Sequence, residues 1–269
     1  MQVTGSFAGK VVLVTGAAMG VGAAISAAFA EEGAAVGLID VDPEALEGTV
    51  REISEAGGRA VGFPGDVRDE RVSANAVARL VADFGGLDVL VNNAGVVRYG
   101  FLPKFEEEDW DYVFDINIKA MYRTARVAIP EMRKRGGGAI INLASVQAYY
   151  SHKGAAAYSA SKGSVVAFSR ALALDHAREG IRVCAIAPGS VRTPMLMDSA
   201  RRSNPDDPDA ALAVFAESHP IGRLIEPRDI ANVTVFLASD KAGAMTGTTV
   251  LVDGGLLAGT VAWDIESED

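Results

Sequence analysis

The sequence is poor in cysteine, in histidine and in positive charge. Its 269 residues include one cysteine and three histidines, and 25 lysines and arginines face 35 aspartates and glutamates, which gives a net charge of −10. A single cysteine excludes an intramolecular disulfide, and Cys184, inside an apolar run, is expected to be a core residue. The acidic balance disfavours nucleic acid and anionic membranes as partners, because both require positive charge. We expect neither partner, and we expect no metal site.

The sequence also lacks any apolar run as long as a membrane span. Such a span needs about 18 consecutive apolar residues, and no run reaches that length. The N-terminus carries Gln2, Thr4 and Ser6 where a secretory signal would have a basic stretch followed by an apolar one. These absences predict a cytoplasmic protein.

Short runs rich in Val, Ile and Leu alternate with longer amphipathic segments. Near-continuous hydrophobicity in such runs is typical of parallel strands that helices cover on both faces. Seven runs fit this description, at residues 10–15, 35–40, 60–64, 88–92, 139–145, 181–187 and 248–253. The length is within the range of one large α/β domain. The sequence therefore predicts a single doubly wound α/β (Rossmann) domain over residues 1–269, with a seven-stranded parallel sheet flanked by helices.

Two segments depart from this alternation. Residues 190–227, between the last two predicted strands, contain an Asn-Pro-Asp-Asp-Pro turn at 204–208. We predict that this segment is a mobile lid. Residues 258–269 end in acidic side chains and are expected to form a solvated tail.

A glycine-rich turn connects the first predicted strand to a helix expected over residues 23–32. Residues 15–22 read Thr-Gly-Ala-Ala-Met-Gly-Val-Gly. Glycines let the backbone approach a pyrophosphate, and the helix N-terminus offers free N–H groups with partial positive charge. The spacing alone also fits an ordinary tight turn. Its position between a strand and a helix favours a dinucleotide site.

The second predicted strand ends at Asp40, where an acidic side chain can accept hydrogen bonds from the adenosine ribose. Such a residue would repel a 2′-phosphate, and neither Met19 nor Val41 supplies the cation that a phosphate needs. The sequence therefore favours NAD over NADP. Asp40 or Asp42 could instead only cap the next helix. Because Pro43 follows Asp42, we assign the cap to Asp42 and the ribose to Asp40.

Tyr158 and Lys162 are four residues apart in a segment, 155–178, with helical periodicity. Their side chains are therefore expected on one face of a helix. A free tyrosine has a pKa near 10, and a neighbouring ammonium or an oxidised nicotinamide stabilises its phenolate. Ser145 ends the fifth predicted strand, at the edge where open α/β sheets bind ligands. We predict that Tyr158 is the acid/base, that Lys162 lowers its pKa and that Ser145 holds the substrate oxygen.

A second tyrosine–lysine pair, Tyr149 and Lys153, has the same spacing. It lies in a predicted loop just before Gly154, where nothing holds the two side chains together. We do not expect this pair to be catalytic. Tyr149 and Tyr150 are expected to form part of the pocket wall.

From about Gly9 to Gly255 the ordered set of motifs resembles the short-chain dehydrogenase/reductase family. The family's glycine turn is matched by residues 15–22, its Asp-Val adenine contact by Asp66 and Val67, and its Asn-Asn-Ala-Gly motif by residues 92–95. Its helical asparagine corresponds to Asn117, its serine to Ser145, its Tyr-x-x-x-Lys to Tyr158 and Lys162, and its Pro-Gly turn to Pro188 and Gly189. No departure from the family pattern affects a catalytic position.

The resemblance implies hydride transfer between NAD and a secondary alcohol or carbonyl. It implies that Lys162 binds the nicotinamide ribose and that Asn117 holds a water in a proton relay, although Asn117 could instead be a buried amide bonded to a neighbouring strand. Asn92 is interpreted as structural only. The implied catalytic residues are Asn117, Ser145, Tyr158 and Lys162. The implied cofactor-binding residues are Gly16, Met19, Gly20, Val21, Gly22, Asp40, Val41, Asp66, Val67, Asn93, Gly95, Tyr158, Lys162, Pro188, Gly189, Val191 and Thr193.

The residues give less information about the substrate. Gln147, two residues after Ser145, would face the same side of an extended chain and could bind a second substrate hydroxyl, as in a sugar or polyol. A glutamine satisfied by the loop backbone is an equally good interpretation, and His152 is either a second polar contact or a solvated residue. Substrate binding is assigned to Ser145, Gln147 and Tyr158. The expected pocket lining is Val97, Tyr99, Gln147, Tyr149, His152, Ser190, Met195 and Leu196.

Residues 145–158 and 190–195 resemble those of bacterial family members that oxidise aldoses or related polyols, and the NAD preference favours alcohol oxidation. One alternative is a ketoacyl or other secondary-alcohol reductase of the lipid or steroid type, against which Asp40 and the net charge count. Another is a non-catalytic NAD-sensing protein, which would be expected to lack the serine, the tyrosine or the lysine. The resemblance also implies a homotetramer built on helices that begin near Glu108 and Ala155, with Trp263 packed on a neighbouring subunit.

Overall fold

The seven apolar runs of the sequence pair into one parallel sheet. The computed structural model describes residues 5–259, and its strands have the order β3-β2-β1-β4-β5-β6-β7. They are β1 Val11–Thr15, β2 Ala35–Asp40, β3 Arg59–Pro64, β4 Val89–Asn92, β5 Gly138–Leu143, β6 Ile181–Pro188 and β7 Thr249–Val252. The doubly wound fold predicted from the sequence is confirmed.

The order of the strands reverses beside β1. Leu13 of β1 pairs with Gly37 of β2 on one side and with Leu90 of β4 on the other. The chain therefore runs outward from β1 to β3 and returns to start its second half at β4. Loops that leave β1 and β4 diverge above the sheet, which opens a crevice at its carboxyl edge.

Helices cover both faces of the sheet. They are α1 Gly20–Glu31, α2 Pro43–Glu55, α3 Glu70–Phe84, α4 Glu107–Phe114, α5 Ala120–Lys134, α6 Ala156–His176, α7 Pro194–Ser203, α8 Pro208–Glu217 and α9 Pro227–Ala238. Val12 and Val14 of β1 belong to the apolar layer beneath α1, whereas Val11 and Leu13 belong to the layer on the opposite face. Both faces are buried, which explains why the strand sequences are apolar throughout.

Side-chain caps and first-turn prolines define several helix starts. The Asp42 carboxylate accepts a hydrogen bond from the Ala45 N–H at 3.1 Å, and Pro43 follows it. The predicted cap is thereby confirmed. Thr193 begins α7 in the same manner, with its hydroxyl accepting from the Leu196 N–H at 3.3 Å and Pro194 in the first turn.

The segment 190–227 is more regular than a flexible lid would be. It contains α7 and α8, and its two ends meet in a parallel bridge between Val191 and Ile225. Mobility of this segment stays a prediction. Trp263 and its expected contact with a neighbouring subunit lie outside the described residues.

Two helices differ from their predicted bounds. The helix expected over 23–32 begins at Gly20, so its first turn includes two glycines of the motif, and the helix expected over 155–178 ends at His176 before a short 3₁₀ turn. A π-helical turn at Asp115–Lys119 joins α4 to α5 and carries Asn117. Among residues 5–259, no helix combines the length and apolar character that crossing a membrane would need.

Candidate active site

A cleft of about 1180 Å³ opens at the carboxyl edge of the sheet, where the crevice was expected. It is lined by the loops that follow the strands and by residues of several helices, among them α6 and α7. Of the seventeen cofactor residues predicted from the sequence, sixteen line it, from Gly16 in the first loop to Thr193 before α7. The exception is Gly22, which is buried beneath the turn.

The glycine turn is shaped by close approaches of backbone to backbone. Gly16 has φ +63°, and a Cβ there would lie 2.8 Å from the Cα of Ala94. A Cβ on Gly22 would lie 2.0 Å from the carbonyl oxygen of Gly16. Gly22 therefore packs the turn against α1, and its predicted role in binding the cofactor is indirect. Asn93 holds the turn to β4, since its amide donates to the carbonyls of Thr15 at 3.0 Å and Gly16 at 2.8 Å.

The first turn of α1 fits a dinucleotide pyrophosphate. The helix begins after Met19 with no side-chain cap, so no side chain occupies its first N–H groups. Gly20 and Val21 of this turn line the cleft. Free N–H groups at a helix start that lines the cleft are the surroundings that a phosphate requires.

Asp40 lies at the tip of β2 with both carboxylate oxygens engaged. One oxygen accepts from the Ala18 N–H at 2.9 Å and the other from the Asp42 N–H at 3.1 Å. Each oxygen keeps a second lone pair for another donor. The lining at this end of the cleft also includes Val41 and Asp66, and the residues that line it around Asp40 include no lysine or arginine.

Tyr158 and Lys162 lie on one face of α6 and both line the cleft. The Lys162 Nζ donates to the carbonyl oxygen of Leu143 at 2.8 Å and lies 5.7 Å from the centre of the Tyr158 ring. A Cβ on Gly95 would lie 3.4 Å from the same Nζ. The lysine is thus buried, oriented by β5 and closely approached from the loop after β4.

Burial controls the protonation of both groups. Burial raises the pKa of Tyr158 to about 12, although a hydrogen bond with the Ser145 side chain lowers it in part. Burial also lowers the pKa of Lys162 to about 8. In the protein alone the Lys162 Nζ bonds to the Leu143 carbonyl, and the expectation that Lys162 lowers the tyrosine pKa stays a prediction.

Ser145 lies two residues beyond β5 and not at its end, and it begins a short 3₁₀ turn. Its hydroxyl oxygen accepts from the Gln147 N–H at 3.1 Å. The Gln147 side-chain oxygen accepts from the Ser159 hydroxyl at 3.3 Å, while its amide nitrogen has no acceptor within residues 5–259. Ser145, Gln147 and Tyr158 all line the cleft. A donor for a second ligand hydroxyl is therefore present beside the serine.

Asn117 is fully buried and does not line the cleft. Its amide nitrogen donates to the Val96 carbonyl and to the Ser161 hydroxyl, each at 2.9 Å, and its oxygen accepts from the Val96 N–H at 2.8 Å. Both amide hydrogens are thus used within the protein. The role of Asn117 in a proton relay stays a prediction. Asn92 donates to Asn142 on the neighbouring strand at 2.8 Å, in keeping with a structural role.

Seven of the eight residues expected to line the substrate pocket do line the far end of this cleft. The one wrong assignment is Tyr149, which is 53% exposed and outside the lining, whereas Tyr150 does line the cleft and bonds to His152 at 3.1 Å. A hydrogen bond of 3.3 Å between Tyr99 and Ser199 connects the loop after β4 to α7. The sequence reasoning did not predict the lining residues Lys153, Ser199, Arg202, Ser203, Phe215 and Ser218.

The sequence is similar to known proteins over nearly its whole length. Residues 16–257 match the family described as enoyl-(acyl carrier protein) reductase. The oxidoreductase UcpA of Salmonella typhimurium is 42% identical over 252 residues, which cover 93% of this chain and 95% of that protein.

Solved structures agree with the sequence comparison. L-sorbose reductase from Gluconobacter frateurii, complexed with NADPH and L-sorbose, superposes with a TM-score of 0.90 at 34% identity and covers 96% of this chain and 100% of that one. The aldohexose dehydrogenase of Thermoplasma acidophilum superposes with a TM-score of 0.87 at 31% identity, covering 97% and 98% of the two chains.

Proposed function

The chain belongs to the short-chain dehydrogenase/reductase family, and from this premise we propose that it transfers a hydride between NAD and a hydroxyl of a sugar or polyol. That it is an oxidoreductase of alcohols and carbonyls follows from its family. The observation that carries the proposal is the presence of Ser145, Tyr158 and Lys162 in one cleft with the glycine turn.

Ser145, Tyr158 and Lys162 have different roles in the proposed hydride transfer. In alcohol oxidation the Ser145 hydroxyl holds the substrate oxygen and the Tyr158 oxygen accepts its proton. Bound NAD supplies the hydride acceptor, and its positive ring favours the phenolate. Lys162 binds the nicotinamide ribose hydroxyls, and its position is fixed by the Leu143 carbonyl. In the reverse direction the neutral phenol is the proton donor, and burial favours that form.

The preference for NAD rests on Asp40. A 2′-phosphate at the tip of β2 would face the carboxylates of Asp40 and Asp42, with no basic lining residue beside them. The NADPH bound to the sorbose reductase describes the cofactor of that protein and not of this chain. Asp40→Asn keeps a side-chain acceptor while removing the charge, so we expect it to reduce the NAD/NADP ratio of kcat/KM by about tenfold. Asp83→Asn is the control, because Asp83 is a carboxylate outside the cleft lining, paired with Arg79, and its loss should leave the ratio unchanged. An unchanged ratio in Asp40→Asn would assign discrimination to another residue.

A sugar or polyol is supported by the polar lining beyond Tyr158. The Gln147 amide nitrogen and the bonded hydroxyls of Tyr99 and Ser199 are available to contact a hydroxylated substrate. The names of the sorbose reductase and the aldohexose dehydrogenase point to the same class. The test is absorbance at 340 nm with NAD or NADP against aldoses, polyols, secondary alcohols and hydroxysteroids. Turnover of steroids or simple alcohols alone would overturn this substrate class.

The two alternatives are less well supported. A ketoacyl or steroid-type reductase gains no support from the acidic adenosine end, which fits NAD better than NADPH. A non-catalytic NAD sensor has no need of the complete Ser145, Tyr158 and Lys162 set. NAD binding with no turnover across the whole panel would favour the sensor.

We further propose a cytoplasmic homotetramer whose subunits meet through the helix that begins at Glu107, which continues from α4 through the π turn into α5, and through α6. Both helices expose apolar side chains, with Leu174 of α6 83% exposed and Tyr122 of α5 49% exposed. Exposed apolar side chains on two long helices are suited to burial between subunits. Light scattering after size-exclusion chromatography should give four times the chain mass of 28.0 kDa. A monomer mass would contradict the proposal.

A further inference from the structure

The two ends of the cleft carry opposite charge. The carboxylates that line it are at the adenosine end: Asp40 and Asp42 at the end of β2, and Asp66 after β3. Asp66 is paired with Arg68 at 2.6 Å, so Asp40 and Asp42 give this end its negative charge. Apart from Lys162 of the catalytic set, the lysine and arginine that line it are Lys153 and Arg202, in the loop before α6 and in α7. The positive end therefore coincides with the substrate side of Tyr158, although the chain as a whole has a net charge of −10.

Neither of these two cations is neutralised within the part of the chain that the structure describes. No carboxylate of residues 5–259 forms an ion pair with Lys153 or with Arg202, and neither side chain donates a hydrogen bond there. The neighbouring Arg201 is outside the cleft lining and is paired with Asp198 at 2.8 Å. The two adjacent arginines on α7 therefore differ. Arg201 is paired and outside the lining, whereas Arg202 lines the cleft and has no ion-pair partner among residues 5–259.

The remaining polar groups at this end are uncharged. Burial lowers the pKa of His152, so its imidazole is neutral at pH 7 and carries no charge of its own. The hydroxyls of Ser199, Ser203 and Ser218 also line this end. At this end of the cleft the described lining has two cations, neutral donors and no carboxylate, since the lining carboxylates are at the adenosine end. Such a site is suited to carboxylate or phosphate oxygens.

We propose that the substrate carries an anionic group, a carboxylate or a phosphate, that Lys153 and Arg202 bind at the end of the cleft away from the adenosine. The inference rests on the proposed function and narrows its substrate class from neutral sugars and polyols to sugar acids or sugar phosphates. Because the two cations come from different segments, the anion contacts both the loop before α6 and α7. The charge of the substrate thereby fixes which end of it lies beside Tyr158.

Binding to the NADH-loaded protein tests this inference with three probes that share a polyol chain: sorbitol, gluconate and sorbitol 6-phosphate. NADH binding is established first from cofactor fluorescence, and each probe is then titrated by calorimetry. We expect gluconate or sorbitol 6-phosphate to bind at least about tenfold more tightly than sorbitol. The tighter of the two identifies the anion as carboxylate or phosphate. Added salt should reduce the advantage, because exposed charges are screened.

Neutral variants assign the effect to residues. We expect Lys153→Gln and Arg202→Gln each to reduce the advantage of the charged probe by about two- to fivefold, with sorbitol binding unchanged. Arg201→Gln is the matched control on the same helix and should retain the advantage. Equal affinities for charged and neutral probes, an equal loss in Arg201→Gln, or no binding of any probe to the NADH complex would overturn the inference.

Two further outcomes separate the possible failures. If NADH itself does not bind, the proposed function fails and the substrate inference fails with it. If NADH binds and an acidic acyl carrier protein binds through Lys153 and Arg202 while the small anions show no preference, the cations recognise a macromolecule. That result would overturn the small-anion proposal and leave hydride transfer intact.

Discussion

Tyr158 is surrounded by groups that favour its neutral form. Burial raises its pKa to about 12, and the nearby phenols of Tyr99 and Tyr150 act in the same direction. Only the hydrogen bond with Ser145 opposes them. The serine that we propose to hold the substrate oxygen therefore also makes the phenolate of Tyr158 easier to form, so its removal should affect both functions.

Replacement of Tyr158 by Phe removes the proton acceptor and leaves the ring in place. We expect turnover to fall by about 10²–10⁴-fold, the usual contribution of a positioned acid/base. NADH affinity should change little, since Lys162 keeps its bond to Leu143. Absorbance at 340 nm measures the first quantity and NADH fluorescence the second. Substantial residual turnover would exclude Tyr158 as the acid/base.

Lys162 makes the stability of the protein depend on pH. Its folded pKa of about 8 is below its ordinary value of 10.5, so the unfolded chain binds more protons between these two values. The free energy of unfolding therefore rises with pH in this window. Relative to Lys162→Met, the wild-type protein should gain about 2 kcal/mol between pH 7.5 and pH 9.5. Urea unfolding at both pH values measures the gain, and a constant difference between the two proteins would contradict a depressed lysine pKa.

Two helical glycines, Gly22 and Gly48, should respond in opposite ways to replacement by alanine. A Cβ at Gly22 in α1 would overlap the Gly16 carbonyl, whereas a Cβ at Gly48 in α2 meets nothing within 4 Å. We expect Gly22→Ala to lower the free energy of unfolding by about 1–3 kcal/mol or more and to weaken NADH binding. Gly48→Ala is the control and should raise stability by up to about 1 kcal/mol with NADH binding unchanged. Thermal unfolding with and without NADH distinguishes the two results.

The sequence predicted elements well where one local pattern determines them. All seven strands were predicted within two residues of their observed bounds, because burial on both faces leaves an apolar run. The π turn that carries Asn117 was not predicted, since an i→i+5 bond pattern leaves no hydrophobic period to detect. α7 and α8 were not predicted within the 190–227 segment, and for that reason Arg202 and Ser218 were missed as lining residues.

Tyr149 and Tyr150 illustrate the limit for single side chains. Adjacent residues in a loop have no fixed periodicity, so the sequence cannot decide which of the two faces a cleft. The short 3₁₀ turn after Ser145 decides it, by directing Tyr150 inward to His152 and Tyr149 to solvent. Gln147 was predicted correctly as a lining residue, but through the assumption of an extended chain, which the 3₁₀ turn replaces.

His219 ties the end of the 190–227 segment to the turn after β6. Its Nε2 accepts from the Ser190 N–H at 3.0 Å, and its Nδ1 donates to the Phe215 carbonyl at 2.6 Å. A Cβ on Gly189 would lie 2.6 Å from the same Nε2, so only glycine fits above the imidazole. Any motion of the segment is therefore more restricted at α8 than a free lid would be.

Asp88 joins elements from both halves of the molecule. Its buried carboxylate accepts from the Val11 N–H at 2.9 Å and from Arg135 at 3.1 Å, which connects β1 to the end of α5. Asp88→Ala leaves a buried N–H without an acceptor and should lower the free energy of unfolding by about 2–4 kcal/mol. Asp83→Ala, which removes only the exposed pair with Arg79, should change it by less than about 0.5 kcal/mol. Chemical denaturation of both variants gives the comparison, and similar values would deny Asp88 this role.

The strand order has a consequence for how the chain reaches this structure. The second neighbour of β1 is β4, which lies some 77 residues later in the chain. The helix α1 packs on α9, where Arg228 contacts Glu31 across 197 residues of sequence. Contacts between residues so far apart in sequence form slowly, because the long loop between them must close before the contact can stabilise the fold. A nascent chain that has left the ribosome only as far as α8 still has the apolar face of α1 uncovered. During synthesis, this protein is thus most exposed to aggregation and to chaperones until its last quarter has been made.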